Sequence, residues 1–164
     1  VSVSKNLLDS LGYDQNFNAV NFNGTDSLFL VPDSNDLSFT AGNTEDQPFS
    51  ASTWVKFTDL SAVQALYGKA SGGTTREFIV NVLTNGNLQA IIYDESVNKY
   101  IVYQTSSTLE ANTWYHIVGV YDSNVGFKAY FNGVLEATNT NAGTLSNPSS
   151  SVDLNIGDNW GTLH

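Results

Sequence analysis

Hydrophobic and polar positions alternate with a period of two along most of this chain, and the clearest run is Leu109 to Thr138, LEANTWYHIVGVYDSNVGFKAYFNGVLEAT. In an extended segment Trp114, His116, Val118 and Val120 fall on one face, and Tyr115, Ile117, Gly119 and Tyr121 on the other. Asp122 to Gly126 supply turn residues, after which Phe127, Ala129 and Phe131 alternate with Lys128 and Tyr130. Asn132-Gly133 then predicts a hairpin, because both residues tolerate the positive φ of a type I′ turn. Val134, Leu135 and Ala137 begin the returning strand. The meander is apolar on both faces at its centre, which predicts a place inside a two-layer structure. Trp54 and Trp114, in strand centres, are expected in the core.

The same alternation predicts further short strands. Lys5 to Leu11 reads as a helical turn or a lead-in, stopped by Gly12, and a strand begins near Ala19. Asn23-Gly24 and Asp26 mark a tight turn, Leu28 to Val31 a short strand ended by Pro32, and Leu37 to Thr40 another. A polar loop, Ala41 to Pro48, precedes the strand Phe49 to Phe57. Leu66 to Lys69, Phe78 to Leu83, Leu88 to Tyr93 and Tyr100 to Thr105 follow, with Ala70 to Thr75 as a glycine loop and Asn85-Gly86 closing a second hairpin. A long Asn/Ser/Thr/Gly loop, Asn139 to Ser151, leads to Val152 to Ile156. Many short strands without a convincing helix predict an all-β sandwich of two antiparallel sheets. The domain is expected over residues 19–164, with 1–18 as an N-terminal lead-in.

The order of these segments carries a resemblance. Trp-Tyr-His, an apolar strand, Tyr-Asp, a short turn and Lys-x-Tyr-x-Asn-Gly (Trp114 to Gly133) resemble the laminin G-like domains of the concanavalin A-like lectin/glucanase superfamily. So do Ala19 to Phe39, Phe49 to Phe57, Leu66 to Ile92 and the "apolar-x-Ile-Gly" segment Val152 to Asn159. The resemblance implies a jelly roll. It also implies a closing strand after the Ile-Gly strand, and NWGTLH contains no match to it. A raw sheet edge, completed by another segment or another chain, is therefore expected.

Charge and composition remove several function classes. Six Lys+Arg against 16 Asp+Glu leave a formal net charge of −10, and the six cations are scattered singly, so a phosphate-backbone partner is not expected. No apolar run reaches membrane-spanning length, so membrane insertion is not expected either. Cysteine is absent, which removes disulfides, thiolate metal sites and cysteine nucleophiles. There is no Gly-x-Ser-x-Gly, and His116 shares a strand face with Trp114 and Val118, which predicts a structural histidine.

The superfamily includes glucanases, whose retaining chemistry needs two carboxylates about 5–5.5 Å apart. Their Glu-x-Asp-x-x-Glu cluster is missing here, and the adjacent Asp94-Glu95 reads as part of a hairpin turn. The expectation is a non-catalytic domain. A sugar site needs an aromatic platform and planar polar groups. Tyr93, Tyr100, Tyr103 and Trp160 are the candidate platforms, with Arg76, Asn81 and Gln89 as polar neighbours, and Asp158 and Asn159 beside Trp160. The resemblance also implies calcium at the sandwich rim, for which Asp158 is the first candidate ligand and Asp26 the second. The expected role is recognition of carbohydrate or another cell-surface ligand within a larger extracellular or virion-surface protein. The alternative is a structural spacer of a phage fibre, capsid accessory or bacterial adhesin, and a glucanase-like hydrolase comes third.

Overall fold

The computed structural model describes residues 19–39, 47–71, 75–94, 99–122, 124–139 and 151–157. Ten strands run in chain order: β1 (Phe29–Val31), β2 (Phe49–Lys56), β3 (Gln64–Ser71), β4 (Thr75–Val82), β5 (Asn87–Asp94), β6 (Lys99–Thr108), β7 (Trp114–Asp122), β8 (Gly126–Phe131), β9 (Val134–Asn139) and β10 (Leu154–Ile156). One short 3-10 turn, Asn35–Leu37, lies between β1 and β2. The expected KNLLDSL turn lies outside the described residues.

The strands form two antiparallel sheets. A six-stranded sheet has the order β1-β10-β3-β4-β5-β6, and a four-stranded sheet the order β2-β7-β8-β9. This is the two-sheet sandwich that the alternation predicts and the jelly roll that the resemblance implies. The late strand β10 inserts between β1 and β3, pairing Ile156 with both Phe29 and Tyr67, so the two ends of the domain close one sheet together. The Asn132-Gly133 hairpin is present, with φ of 52° and 82° at its two residues. At the second hairpin only Gly86 takes a positive φ, 80°, and Leu83 accepts the Gly86 N–H at 2.8 Å, which makes a three-residue loop ending in a left-handed glycine.

Alternation packs one face of each sheet inward. Phe78, Val80 and Val82 of β4, Leu88, Ala90 and Ile92 of β5 and Tyr103 of β6 meet Ile117 and Tyr121 of β7 and Phe127, Ala129 and Phe131 of β8. Each such aliphatic or aromatic side chain contributes roughly 1.5–3 kcal/mol of burial. Gly119 of β7 leaves room for this packing, because a Cβ there would sit 3.2 Å from the Phe127 ring.

At one end the interior holds charge. Lys69 Nζ lies 2.7 Å from Asp33 Oδ1 and 3.1 Å from Glu77 Oε1, and donates to Ser38 Oγ at 2.8 Å. The Lys69 and Glu77 side chains are both fully buried. A register shift places Ala70 opposite Arg76 while Lys69 stays opposite Phe78, so Glu77 is an extra residue in β4. The bulge lets Glu77 reach Lys69, and through Asp33 and Ser38 the lysine ties down the segment after β1.

Candidate functional site

The outer face of the six-stranded sheet gathers the polar and aromatic groups that the interior excludes. Since Phe78, Val80 and Val82 point inward, Ile79 and Asn81 point outward, and the cross-strand pairs follow. Gly68, Ile79, Ile91 and Val102 form one outward row. Ala65, Asn81, Gln89 and Gln104 form the next. Tyr93 pairs with Tyr100 in a third. Beside it the β4 bulge sets the Arg76 guanidinium over the Tyr93 ring, 4.3 Å from its centroid, close enough for a cation–π contact. The Tyr93 and Tyr100 rings lie 6.2 Å apart at 47°.

This face has depth. Ile79, Asn81 and Tyr93 are 8%, 9% and 7% exposed, whereas Tyr100 stands at 62% on the edge strand β6. The floor is therefore recessed beside a raised aromatic wall. Asn81 Oδ1 is buried without a hydrogen-bond partner. An unsatisfied buried acceptor costs about 1–3 kcal/mol, and such a cost is characteristic of sites completed by something else. An aromatic pair with a planar cation, and a set of amides about 13 Å further along the same sheet face, can hold successive units of a polyhydroxylated chain, with C–H groups on the aromatics and hydroxyls on the amides.

The structure thus brings together Arg76, Tyr93 and Tyr100, and places Asn81 and Gln89 on the same sheet face beyond the intervening row of Ile79, Ile91 and Val102. It separates Tyr103 from them. Tyr103 is 1% exposed, pairs with the inward Ala90 and packs its ring 5.1 Å from Phe127, so it belongs to the core. Its phase with Ile101 and Thr105, opposite to Gln104, carries that signal in the sequence. Asp158, Asn159 and Trp160 lie outside the described residues. Asp26 sits in the turn after Asn23: its Oδ1 accepts the Asn23 amide at 2.6 Å, while Asn23 Oδ1 accepts backbone N–H groups of Thr25, Asp26 and Ser27. Among the described residues no three His, Cys, Asp or Glu side chains converge on a metal position. Asp26 offers calcium a lone carboxylate already bonded within its own turn, which does not fit that ion's demand for six to eight oxygens.

The expectation that Trp54 and Trp114 belong to the core is overturned. Trp54 is 66% exposed and Trp114 39% exposed, on the outer face of the four-stranded sheet. The reason is phase: Trp54 alternates with Thr53 and Val55 and shares its face with Ser50, Ser52 and Lys56. Trp114 and His116 lie opposite Lys56 and Trp54 in β2, and no second layer covers them among the described residues.

Comparison with known proteins agrees with the fold. A sequence model described as the concanavalin A-like lectin/glucanases superfamily, of laminin G type, matches residues 12–163. No curated protein sequence matches. Among solved structures, the chain is similar to the Ruminococcus gnavus IT-sialidase CBM40 bound to alpha2,3 sialyllactose, with TM-score 0.58, 16% identity, and coverage of 74% of this chain and 67% of that one. It is also similar to the binding domain of Paraclostridial Mosquitocidal Protein 1, with TM-score 0.62, 15% identity, and coverage of 82% and 34%. A third is the botulinum neurotoxin serotype D ligand binding domain in complex with N-acetylneuraminic acid, with TM-score 0.58, 17% identity, and coverage of 81% and 32%. At these identities the likeness concerns the fold, and the chain spans about a third of the length of the toxin structures it matches.

Proposed function

The chain belongs to the laminin G-like family of the concanavalin A-like lectin/glucanases superfamily, and from that premise we propose that it is a non-catalytic carbohydrate-binding module of a larger extracellular or virion-surface protein. The observation that carries the reading is the recessed floor on which Arg76 lies over Tyr93, Tyr100 stands as a wall, and Asn81 holds an unpartnered acceptor. A fold shared by many functions does not choose among them, so the site has to. Here the exposed Tyr100 supplies a ring face for one side of a pyranose, with Tyr93 packed against it. Arg76 lies over Tyr93, and the amides of Asn81, Gln89 and Gln104 offer donors and acceptors two rows along, beyond Ile79, Ile91 and Val102, where a further unit of an oligosaccharide would lie. Two of the similar structures hold sialylated ligands by their names, which supports a sugar as the ligand class.

The test is a glycan-array screen of the protein, run with calcium and with EDTA, followed by titration of the best glycan. Saturable binding that falls about tenfold in Tyr100→Ala, with an unchanged thermal melt, is the expected result. Tyr100 is exposed, so its loss leaves the core intact. Absence of saturable binding in both conditions, or a Tyr100→Ala protein that binds as well as the parent, overturns the reading and leaves the structural-spacer role in its place.

A further inference from the structure

The sandwich has a second unpartnered face. On the four-stranded sheet the outward positions read across the strands as Ser50–Val120–Lys128, Ser52–Val118–Tyr130–Leu135, Trp54–His116 and Lys56–Trp114. In a chain of net charge −10, the rows around Trp54 and Trp114 hold no acidic position, Asp122 follows Val120 in phase at the opposite end of β7, and the face carries two of the six Lys and Arg, Lys56 and Lys128. The aromatic groups are paired with cationic or titratable neighbours. The Trp54 and His116 rings stack at 5.0 Å and 21°, and Lys56 Nζ lies 5.5 Å from the Trp114 ring centroid.

The local arrangement narrows the occupant. Among the described residues β2 is an edge strand. His116 therefore covers the Trp54 ring face turned toward the sheet, and the opposite ring face looks outward past the edge. That accounts for an indole 66% exposed although one side is stacked. Ser52 precedes Trp54 by two residues on the same outward face and Ser50 lies two residues further along, while the exposed aliphatics Val134 and Leu135 lie at the far strand β9. One open indole face with hydroxyls and positive charge beside it matches a sugar ring carrying a carboxylate better than the continuous apolar core of a protein interface. A net charge of −10 repels an anion, and around Trp54 the charge of Lys56 opposes that repulsion. A two-fold contact between copies through the same face would bring lysines toward lysines, which disfavours a second copy as occupant.

We infer that the outer face of the four-stranded sheet, centred on Trp54 and Lys56, is a second carbohydrate-binding surface, selective for glycans bearing carboxylate groups. It is independent of the Tyr93–Tyr100 floor on the opposite side of the molecule, and it stands or falls separately from that reading.

The probe is polygalacturonate, compared with its fully methyl-esterified form, in affinity electrophoresis and titration. The parent protein is expected to bind the acid form and not the ester, and to lose binding in about 1 M salt, where the Debye length is about 3 Å. Trp54→Ala and Lys56→Glu are each expected to weaken binding about tenfold or more. Trp54 is exposed and its truncation leaves the interior unchanged, which an unaltered melt confirms. Equal binding of acid and ester, no binding at all, or full binding by Trp54→Ala overturns the inference. So does self-association that Trp54→Ala abolishes in sedimentation, since that assigns the face to a protein contact.

Discussion

Replacing Lys69 by methionine tests how the sandwich tolerates charge in its interior. The side chain is 0% exposed and its ammonium group is shared by Asp33, Glu77 and Ser38 at 2.7, 3.1 and 2.8 Å. Lys69→Met keeps an unbranched side chain of similar length and removes the charge. Asp33, with 29% side-chain exposure, can turn to water at little cost. Glu77 is 0% exposed, so its carboxylate would remain inside without its cation. Breaking one partner of a buried pair costs about 3–5 kcal/mol, a large part of the roughly 5–15 kcal/mol by which domains are stable. Urea unfolding should show a midpoint lowered to match, with an unchanged m-value. The double variant Lys69→Met/Glu77→Gln removes the stranded charge and should recover at least half of the loss, because replacing both members of such a pair is close to neutral. A single variant within about 1 kcal/mol of the parent, a value typical of an exposed pair, would refute the reasoning. A double variant no more stable than the single one would refute it too.

Two further outcomes follow from the interior. The Tyr67 ring is partly exposed, but its hydroxyl lies in the core beside Gly119, and burial holds its pKa well above the ordinary value of 10.0. A raised folded-state pKa means that the unfolded chain releases this proton first. Stability is therefore full below about pH 10 and falls as pH rises further, by about 1.4 kcal/mol per pH unit from this group. Phenolate absorbance should show Tyr67 among the tyrosines that ionise only with unfolding, and Tyr67→Phe should lower their number by one; an unchanged number falsifies it. Gly86 takes φ +80°, and a Cβ there would lie 2.5 Å from the Leu109 carbonyl oxygen, whereas Gly24 takes φ +72° with nothing within 4 Å. Gly24→Ala should cost about 1–2 kcal/mol from its left-handed backbone alone, and Gly86→Ala distinctly more; equal losses in urea melts would show that the Leu109 contact does not matter.

Much of this protein follows from local rules. Alternation together with Asn132-Gly133 and Asn85-Gly86 suffices for the strands and their hairpins, because side-chain direction in a strand has period two and tight turns admit few residues. The same phase places Asn81, Gln89, Tyr93 and Tyr100 on one face of strands that become neighbours, whereas Arg76, in step with the inward Phe78, reaches that face only through the β4 bulge. The phase also contains the correct directions of Trp54, in step with Ser50, Ser52 and Lys56, and of Tyr103, in step with Ile101, although an aromatic in a strand centre reads as core by type. What alternation alone leaves open is which of two mixed faces turns inward, since that depends on burial against a second sheet distant in sequence. The meeting of Lys69 with Glu77 depends on a bulge and on Asp33, more than thirty residues away. The recess around Asn81 depends on how six strands are ordered, with β10 inserted between β1 and β3. The exposure of Trp54 depends on β2 standing at a sheet edge. These are consequences of non-local pairing, which no window of adjacent residues encodes, and they decide where a ligand can be held.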